Sequence, residues 1–413
     1  MVNVLYKLKD LCKLSSAKRI FENEYVKDGV PFIRGQEVSD GSILDENARF
    51  ECYISEDRYE EIKSKYGVPQ KGDILITAVG TIGNLCVLKT NRKFYFKDGN
   101  IIRFSDFKEN VDSEYLAYFM KSSLFKKQIE YSLIGAVQKA LTMVMLNEVT
   151  IPLPVLDVQK KIASVLSTLD QRIENLRVQN RVLEQTAKTI YDYTFLQCAG
   201  HQTTYNKTLN RNIPAEWEVK SVNQMAKSYR GVAYDKSDVQ KENNGGILVL
   251  RGNNIQDNNL VYDGNVVYIP ENLVEDNQHI KKGDIIMTMS SGSKEHIGKC
   301  TMFQYDSKHT YGAFLTKFTP NRECRYYFYM NLISDYFKAK IKSVCNGTGI
   351  NNLTNQTFNE IFFPYPDSKT LDVFEKTVTP IFDKMGVNTK QIETLTTQRN
   401  TLLPLLMTGQ VEV

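Results

Sequence analysis

VQKKIASVLSTLDQRIENLRVQNRVLEQTAKTIYDYTF, residues 158–195, lies near the middle of the 413-residue chain and is the basis of the predicted fold. Apolar side chains recur in it at alternating steps of four and three, which is typical of the seam of a coiled coil. One polar residue, Asn180, interrupts the series. We predict a long helix whose pairing seam contains Ile162, Leu166, Leu169, Ile173, Leu176, Asn180, Leu183, Ala187 and Ile190.

A second stripe with the same period lies near the C-terminus. An isolated amphipathic helix gains most of its stability from packing, so neither helix can bury such a seam alone. One such stripe would favour a surface helix lying on a globular core. Two stripes, each closing one half of the chain, favour an antiparallel coiled coil between them. The second seam contains Val378, Ile381, Met385, Asn388, Ile392, Leu395, Arg399, Leu402 and Leu406.

The composition, with 42% hydrophobic and 24% charged residues, indicates a soluble globular chain of two or more domains. No apolar run approaches about eighteen residues, and the N-terminus lacks the layout of a signal peptide, so we expect a cytoplasmic protein without membrane contact. The seven cysteines are scattered, with no CxxC pattern, which argues against a zinc site or a disulfide framework. The formal charge of +4 permits nucleic-acid binding but does not argue for it.

The second half of the chain repeats the motifs of the first half in the same order. The clearest pairs are Arg-Gly followed by an amide residue, Lys-Gly-Asp-Ile, and a Pro-x-Pro segment that leads into each long helix. Five blocks in register make a chance resemblance of Gly-Asp turns a poor explanation. The matched blocks are 31–36 with 248–253, 71–77 with 282–288, 82–83 with 297–298, 135–141 with 347–353, and 151–154 with 363–366.

Each repeat is predicted to be a mixed, β-rich domain followed by a helical arm. Short apolar runs bounded by glycine-rich turns predict hairpins at 74–88 and 285–303, and helical spacing predicts helices at 113–132 and 325–344. The fold class is α+β: two β-rich domains separated by two long antiparallel helices, with a pseudo-two-fold internal repeat. The predicted divisions are domain one, 1–154; central helix, 155–196; polar linker, 197–212; domain two, 213–366; C-terminal helix and tail, 367–413.

Motifs for catalysis or cofactor binding are missing from the sequence. The Asn-Pro-Pro-aromatic motif of amino-group methylation does not occur. The segment 292–300 resembles a phosphate loop, but it has five residues between its glycines where four are needed, and Cys300 replaces the magnesium-binding Ser or Thr. Gly80–Gly83 matches the short GXXG pattern of KH domains but reads more simply as a hairpin turn. We expect no catalytic residue, no cofactor and no metal.

The remaining candidates are loops rich in hydrogen-bonding side chains. Arginine beside an amide residue supplies the two side-chain types that read guanine and adenine edges bidentately. The glycine-rich segments can bring backbone N–H groups to phosphates. An ordinary turn is the simple alternative for any single loop, but matching loops in both halves favour DNA binding. The predicted DNA contacts are Arg34, Gln36, Thr77, Gln138, Lys139, Arg251, Asn253, Asn254, Ser290, Ser293, Lys294, Asn346 and Asn351.

Over essentially its whole length the chain resembles the specificity (S) subunit of type I restriction–modification systems. The segment 151–170 is similar to that family's helix entry, and 402–411 is similar to its C-terminal ending. The resemblance implies two target-recognition domains that read double-stranded DNA without catalysing a reaction. The first domain departs from the pattern because it lacks the Pro-x-x-Trp opening found at Pro214–Trp217, and Pro404 lies unexpectedly late in the last helix.

The same resemblance implies partners. Paired helices would act as a spacer that docks two copies of the modification subunit, through which restriction subunits join the complex; the isolated chain could self-associate instead. The expected target is two short, different blocks separated by unspecified base pairs. The alternative is a scaffold whose helices and β-rich domains bind proteins rather than DNA, which a salt titration of DNA binding would distinguish.

Overall fold

The computed structural model describes residues 4–45, 47–132, 140–197, 201–240, 245–256, 258–261, 266–292, 294–345 and 352–413. The chain divides into two compact units: unit 1 contains Met1–Glu174 and Glu393–Val413, and unit 2 contains Asn175–Ile392. The predicted divisions kept the long helices separate from the domains. In the structure each helix is shared between the units, because its apolar stripe packs into the core of the domain beside it.

The strands of unit 1 form one two-stranded and two four-stranded sheets, with orders β1-β10, β2-β9-β6-β7 and β3-β5-β4-β8. At the centre of the second sheet lies β6, a fully buried apolar run that pairs antiparallel with β7 and β9. The strands are β1 (Val4–Lys7), β2 (Lys13–Ser16), β3 (Tyr25–Val26), β4 (Val30–Ile33), β5 (Tyr53–Ile54), β6 (Ile74–Thr77), β7 (Leu85–Val87), β8 (Tyr95–Phe96), β9 (Ile101–Ser105) and β10 (Thr150–Leu153).

The helix predicted over 113–132 is present but broken at Ser122. The hydroxyl of Ser122 accepts the N–H of Phe125 at 3.4 Å, so this serine starts a second helix where the first ends. The predicted central helix is confirmed, and it closes in a π-helical turn over Asp192–Leu196. The helices up to this point are α1 (Gly35–Ser39), α2 (Glu56–Tyr66), α3 (Ser113–Lys121), α4 (Ser123–Ser132), α5 (Met143–Asn147) and α6 (Leu156–Tyr191).

One four-stranded sheet of unit 2 has the same strand order as the β2-β9-β6-β7 sheet of unit 1. That sheet has the order β14-β22-β19-β20. A further sheet, β18-β15-β21, combines one antiparallel and one parallel pairing, whereas the β3-β5-β4-β8 sheet of unit 1 has two antiparallel pairings and one parallel pairing. The strands are β11 (Thr203–Asn206), β12 (Arg211–Pro214), β13 (Glu218–Ser221), β14 (Ala226–Arg230), β15 (Ile247–Leu250), β16 (Ile255–Gln256), β17 (Asn259–Leu260), β18 (Val267–Ile269), β19 (Ile285–Thr288), β20 (Cys300–Met302), β21 (Thr310–Tyr311), β22 (Leu315–Pro320) and β23 (Phe362–Tyr365).

The helices of unit 2 show the same serine break as those of unit 1. The helix predicted over 325–344 is interrupted at Ser334, whose hydroxyl accepts the N–H of Phe337 at 3.2 Å. The C-terminal helix begins after Asp367, whose carboxylate caps it by accepting the N–H of Thr370 at 3.0 Å, and it continues through Pro404. The helices are α7 (Val222–Met225), α8 (Arg325–Ile333), α9 (Asp335–Cys345), α10 (Thr357–Glu360) and α11 (Ser368–Thr408).

The stretch predicted to be a linker, 197–212, contains most of a β-hairpin. Strands β11 and β12 pair antiparallel, and Asn206 holds the turn by accepting the N–H groups of Thr208 and Leu209. The sequence signal was weak because the exposed first strand has no apolar face. Alternation of buried and exposed side chains is what normally identifies a strand.

Within unit 2 the two long helices run antiparallel. The Asn388 amide donates to Asn180 Oδ1 at 2.9 Å, and further along Tyr191 meets Phe374 edge to face. Both asparagines are buried, so the residue that interrupted the apolar series is paired with a second buried amide. Of the predicted seam residues, Ile162, Leu166, Ile173, Leu176 and Met385 are buried, whereas Leu169, Leu183, Ile190, Ile392, Leu395 and Leu402 are partly buried.

In unit 1 the ends of the same two helices also meet. Ile162 and Leu166 share one apolar core with Leu406 and Met407. Arg399 donates to Asp170 at 2.8 Å. Residues of the two predicted stripes therefore pack into the apolar core of each unit.

The cysteines at 12, 52, 86, 300 and 324 carry free thiols. Among the helices that the structure describes, none combines the length and apolarity needed to cross a membrane.

Candidate nucleic-acid interface

A tight turn follows the same buried strand in each unit and begins with arginine. We call residues 34–37 the Arg34 turn and residues 251–254 the Arg251 turn. The side chain of the fourth residue closes each turn: Glu37 accepts the N–H of Arg34 at 2.9 Å, and Asn254 accepts the N–H of Arg251 at 2.9 Å. The third residue, Gln36 or Asn253, is exposed. Each turn thus places a partly buried arginine two residues before an exposed amide side chain.

Two predicted DNA contacts are instead internal. Asn254 is fully buried, and besides closing the Arg251 turn it donates to the carbonyl of Val261 at 3.0 Å. Thr77 is also fully buried, and its hydroxyl donates to the carbonyl of Thr81 and accepts the N–H of Asn84. These predictions were wrong because residue type alone does not show which member of a turn faces inward.

Both arginine turns are supported by the strand end beside them. A Cβ added at Gly35 would lie 3.5 Å from the Thr77 methyl group, and one added at Gly252 would lie 3.4 Å from that of Thr288. The repeated Arg-Gly and Gly-Asp-Ile-x-x-Thr motifs therefore recur together because the turn of one packs against the strand end of the other.

Four backbone hydrogen bonds build the same junction at these strand ends. In unit 1, Thr77 is bonded to both Gly83 and Asn84, and Ala78 to both Asn100 and Leu141, at 2.7–2.9 Å. The corresponding bonds in unit 2 join Thr288 to Gly298 and Lys299, and Met289 to Phe314 and Leu353, at 2.8–2.9 Å. The junction makes Asn100 and Phe314 equivalent, and sequence comparison missed both because they lie outside the matched blocks.

A buried ion pair lies at the start of the strand that ends at each junction. Asp73 accepts from Arg103 at 2.6 Å in unit 1, and Asp284 lies 3.2 Å from the ammonium of Lys317 in unit 2. Each aspartate also accepts a backbone N–H from the turn that precedes its strand. The Asp of the repeated Lys-Gly-Asp motif therefore stabilises the fold and is turned away from solvent.

The pKa of Asp73 shows that burial outweighs attraction at this site. Burial disfavours the charged carboxylate and raises the pKa, while the N–H of Gln70 and the guanidinium of Arg103 act in the opposite direction. Buried ion pairs commonly have this balance, because removing two charges from water costs about as much as their attraction returns.

The two arginines face different electrostatic surroundings. Arg34 donates to the exposed carboxylate of Glu51 and lies 3.8 Å from Glu37. The hydrogen bond to Glu51 is the main reason that the pKa of Arg34 is raised. An exposed ion pair of this kind contributes about 0–1 kcal/mol, so a phosphate or base edge can replace Glu51 at little cost.

The Arg251 turn is tied to the central helix of its own unit. The hairpin of β16 and β17 continues from the turn, and at its tip Asn258 adopts a left-handed backbone with φ of 61°. The Asn258 amide donates to Glu184 Oε1 at 3.2 Å, and the hydroxyl of Tyr329 donates to the same oxygen at 3.2 Å. Burial raises the pKa of Glu184, against the effect of these donors. The hairpin is therefore held by the Arg251 turn at its start and by Glu184 at its tip.

The other predicted contacts have different outcomes. Ser290 is partly buried and its backbone bridges to Asn352, which places it beside the junction of unit 2. Gln138, Lys139, Ser293, Asn346 and Asn351, together with the side chain of Lys294, lie outside the described residues.

In the described part of the chain, no cluster of three His, Cys, Asp or Glu residues is arranged to hold a metal ion. What the geometry offers is recognition chemistry. Partly buried arginine side chains and exposed amide and aromatic side chains stand on hydrogen-bonded backbone turns, and groups of these kinds contact phosphates and base edges.

The chain was compared with known protein families and with solved structures. Residues 3–185 and 214–398 match the model described as type I restriction modification DNA specificity domain. Across 98% of this chain and 93% of the relative, it is 26% identical to the type I restriction enzyme MjaIX specificity subunit of Methanocaldococcus jannaschii.

Two further similarities agree with these matches. The chain is 31% identical to the type I restriction enzyme EcoKI specificity subunit of Escherichia coli, over 37% of this chain and 33% of that protein. A solved structure of the type I restriction-modification S subunit from M. genitalium aligns with a TM-score of 0.54 at 16% identity, covering 98% of this chain and 95% of that one. This last likeness concerns the fold.

Proposed function

The chain belongs to the type I restriction modification DNA specificity family, and from this premise we propose that it is the non-catalytic subunit that reads the DNA target of a restriction–modification complex. Each unit reads one half of a bipartite target. The Arg34 turn serves one half and the Arg251 turn the other. The arginines read base edges or phosphates, and the neighbouring Gln36 and Asn253 read base edges.

One observation carries the proposal: the same junction of four backbone hydrogen bonds presents different side chains in the two units. Gln36 and Asn100 in unit 1 correspond to Asn253 and Phe314 in unit 2. A shared backbone that carries different side chains suits two readers of the same kind of ligand with different sequences. The target should therefore consist of two unlike blocks.

We further propose that α6 and α11 pair as a coiled coil, dock two modification subunits and set the separation of the two target blocks. The helices contain 36 and 41 residues, far more than packing a single domain requires. The buried Asn180–Asn388 pair supports a fixed register, because a polar pair in an apolar seam is satisfied in only one alignment.

Inserting seven residues into each helix tests the spacer role. Such an insertion keeps the seam in register and adds about 10.5 Å at 1.5 Å per residue. At 3.4 Å per base pair, the unspecified gap should then lengthen by about two to three base pairs. An unchanged gap in an insertion variant that still supports methylation would show that the helices do not set the spacing.

DNA reading is tested on the full chain together with its modification subunit. Methylation mapped across a genome should reveal one bipartite motif, and affinity for that duplex should fall steeply with salt because phosphate contacts release counterions. If the chain bound protein partners but had no affinity for DNA, or bound DNA without regard to its sequence, the protein-scaffold alternative would be favoured.

The chain alone should not transfer methyl groups. Labelled S-adenosylmethionine mixed with the purified chain and target DNA should give no incorporation until the modification subunit is added. Incorporation by the chain alone, from a preparation shown to be free of contaminating methyltransferase, would refute the proposed role.

A further inference from the structure

Phe314 is an exposed aromatic side chain on a firmly held turn of unit 2. Its relative exposure is 70%, although Tyr311 and Leu315 in the same turn are buried at 0% and 1%. The aromatic ring therefore stands in solvent while the residues that carry it are anchored in the core. Single exposed apolar residues are common on protein surfaces, so the surrounding geometry has to decide what this one means.

Backbone hydrogen bonds fix the turn on several sides. The carbonyl of Tyr311 accepts the N–H of Val232 at 2.8 Å, and the N–H of Gly312 donates to Leu250 at 2.9 Å. The carbonyl of Phe314 accepts the N–H of Met289 at 2.9 Å. A turn held in this way loses little conformational entropy when its side chain binds a ligand.

Close backbone approach adds to this constraint. A Cβ at Gly231 would lie 2.2 Å from the carbonyl oxygen of Gly312, so only glycine fits at position 231. The Val232–Gly312 bridge depends on this approach. The turn and its neighbouring strand are thus packed without a spacer side chain between them.

The turn lies between the two candidate loops of unit 2. Gly312 bonds to the residue just before Arg251, and Phe314 bonds to the residue just before Ser290. At the equivalent junction position unit 1 has Asn100, a polar and partly buried residue. The aromatic group is therefore a feature of one recognition surface and is not demanded by the shared backbone.

We infer that Phe314 makes an apolar contact with a base in the half of the DNA target read by unit 2. This inference rests on the proposed function. Two contacts share this chemistry: packing against a thymine methyl group and stacking against a base face. Either contact would distinguish this half-site from the half-site that unit 1 meets with Asn100.

The test uses the full chain with its modification subunit, bound to the mapped target duplex and to a duplex with the second half-site scrambled. Phe314→Ala should weaken binding to the target about tenfold. Binding to the scrambled duplex should stay unchanged, and so should the slope of log affinity against log salt, because no phosphate contact is lost. Phe314→Leu should lose less, because leucine keeps part of the apolar contact.

Tyr193→Ala is the matched control, since Tyr193 is another 70% exposed aromatic residue of unit 2, located in the π-helical turn. It should bind both duplexes like the unaltered protein. Melting temperatures of all variants should agree, because each altered side chain is exposed.

Two modified duplexes identify the contact. If Phe314 packs against a thymine methyl group, replacing that thymine by uracil should weaken binding of the unaltered protein but not of Phe314→Ala. If the ring stacks on a base, the fluorescence of 2-aminopurine placed beside the contact should change with the unaltered protein but not with Phe314→Ala. Target binding by Phe314→Ala equal to that of the unaltered protein would overturn the inference, as would a uniform loss on both duplexes. If the unaltered complex itself fails to distinguish the duplexes, the proposed function fails instead.

Discussion

The two units make equivalent contacts at the start of a helix with different side chains, an amide in unit 1 and a carboxylate in unit 2. In each unit a side chain of a long helix accepts hydrogen bonds from the N-terminal end of a shorter helix. In unit 1 the buried amide of Gln159, in α6, accepts the N–H of Asp112, which precedes α3, at 2.9 Å. In unit 2 the carboxylate of Glu375 accepts the N–H groups of Tyr326 and Tyr327 at 2.8 and 2.9 Å. The amide cannot titrate near neutral pH, whereas the carboxylate can.

The buried ion pairs at the starts of β6 and β19 also differ between the units. Arg103 and Asp73 retain 13% and 9% side-chain exposure, whereas Lys317 and Asp284 retain 5% and 3%. The same backbone therefore accommodates either a guanidinium or an ammonium group in the buried ion pair. It also accommodates either an amide or a carboxyl group at the start of the helix. Hydrogen-bonding geometry is therefore shared by the two units, and we expect their stability and its pH dependence to differ.

The largest expected effect is the loss of the buried cation of unit 2. Lys317→Ala leaves Asp284 charged and buried and should destabilise unit 2 by about 3–5 kcal/mol. Arg103→Ala should cost unit 1 less, because its pair is less buried. Hydrogen exchange of the β19 and β6 amides in the folded chain would measure each loss separately.

Lys282→Ala serves as the control for Lys317→Ala. Lys282 pairs with Asp383 at 2.7 Å, but both side chains are about half exposed. Its loss should cost less than about 1 kcal/mol. Equal effects of the two lysine substitutions would contradict the importance assigned to burial.

The second effect is a pH dependence of the contact between Glu375 and α8 in unit 2. Burial raises the pKa of Glu375 to about 7, against the effect of its two backbone donors. A raised folded-state pKa means that the stabilising contribution is complete below the unfolded pKa of about 4.5. The contribution is lost as pH rises through about 7, with a slope of at most about 1.4 kcal/mol per pH unit.

Glu375→Gln should remove this pH dependence, because its amide oxygen can still accept the N–H groups of Tyr326 and Tyr327. Hydrogen exchange of α8 amides between pH 5 and 8, corrected for intrinsic exchange, would show the change, with α3 in unit 1 as the internal reference. If the stability of α8 in the unaltered protein did not fall between pH 5 and 8, the folded-state pKa of Glu375 would not be raised.

The third effect concerns DNA reading by the two turns. Arg251→Ala should cost roughly 1–3 kcal/mol in affinity and relax one half of the recognised sequence while the other half stays readable. Arg34→Ala should relax the opposite half. Methylation mapping with each variant tests this exchange. A uniform loss on all sequences would identify the arginine as a phosphate contact, and no loss would identify an ordinary turn residue.

The smallest effect follows from the carboxylate that faces Arg34. Glu51→Gln removes an exposed ion pair worth about 0.2–1 kcal/mol, so binding through unit 1 should strengthen by up to about fivefold. Arg34→Ala combined with Glu51→Gln should show no such gain over Arg34→Ala alone. A gain that persists in the double variant would mean that Glu51 simply repels DNA phosphates.

The long helices, the two central hairpins and the repeated order of motifs could be predicted from the sequence, because apolar periodicity and glycine turns are local signals. It also indicated that Arg34 with Gln36 and Arg251 with Asn253 belong together, since each pair lies within one turn. The family resemblance rested on the same local stretches.

Which members of those motifs face inward depends on tertiary packing and could not be predicted from the sequence. Thr77 and Asn254 are buried because strand ends and turns pack against each other across long separations in sequence. The equivalence of Asn100 and Phe314 arises from backbone hydrogen bonds, which leave no trace in side-chain identity. Glu375 and Gln159 likewise became comparable only once each long helix was placed against its own domain, because a cap supplied from a distant helix has no local sequence pattern.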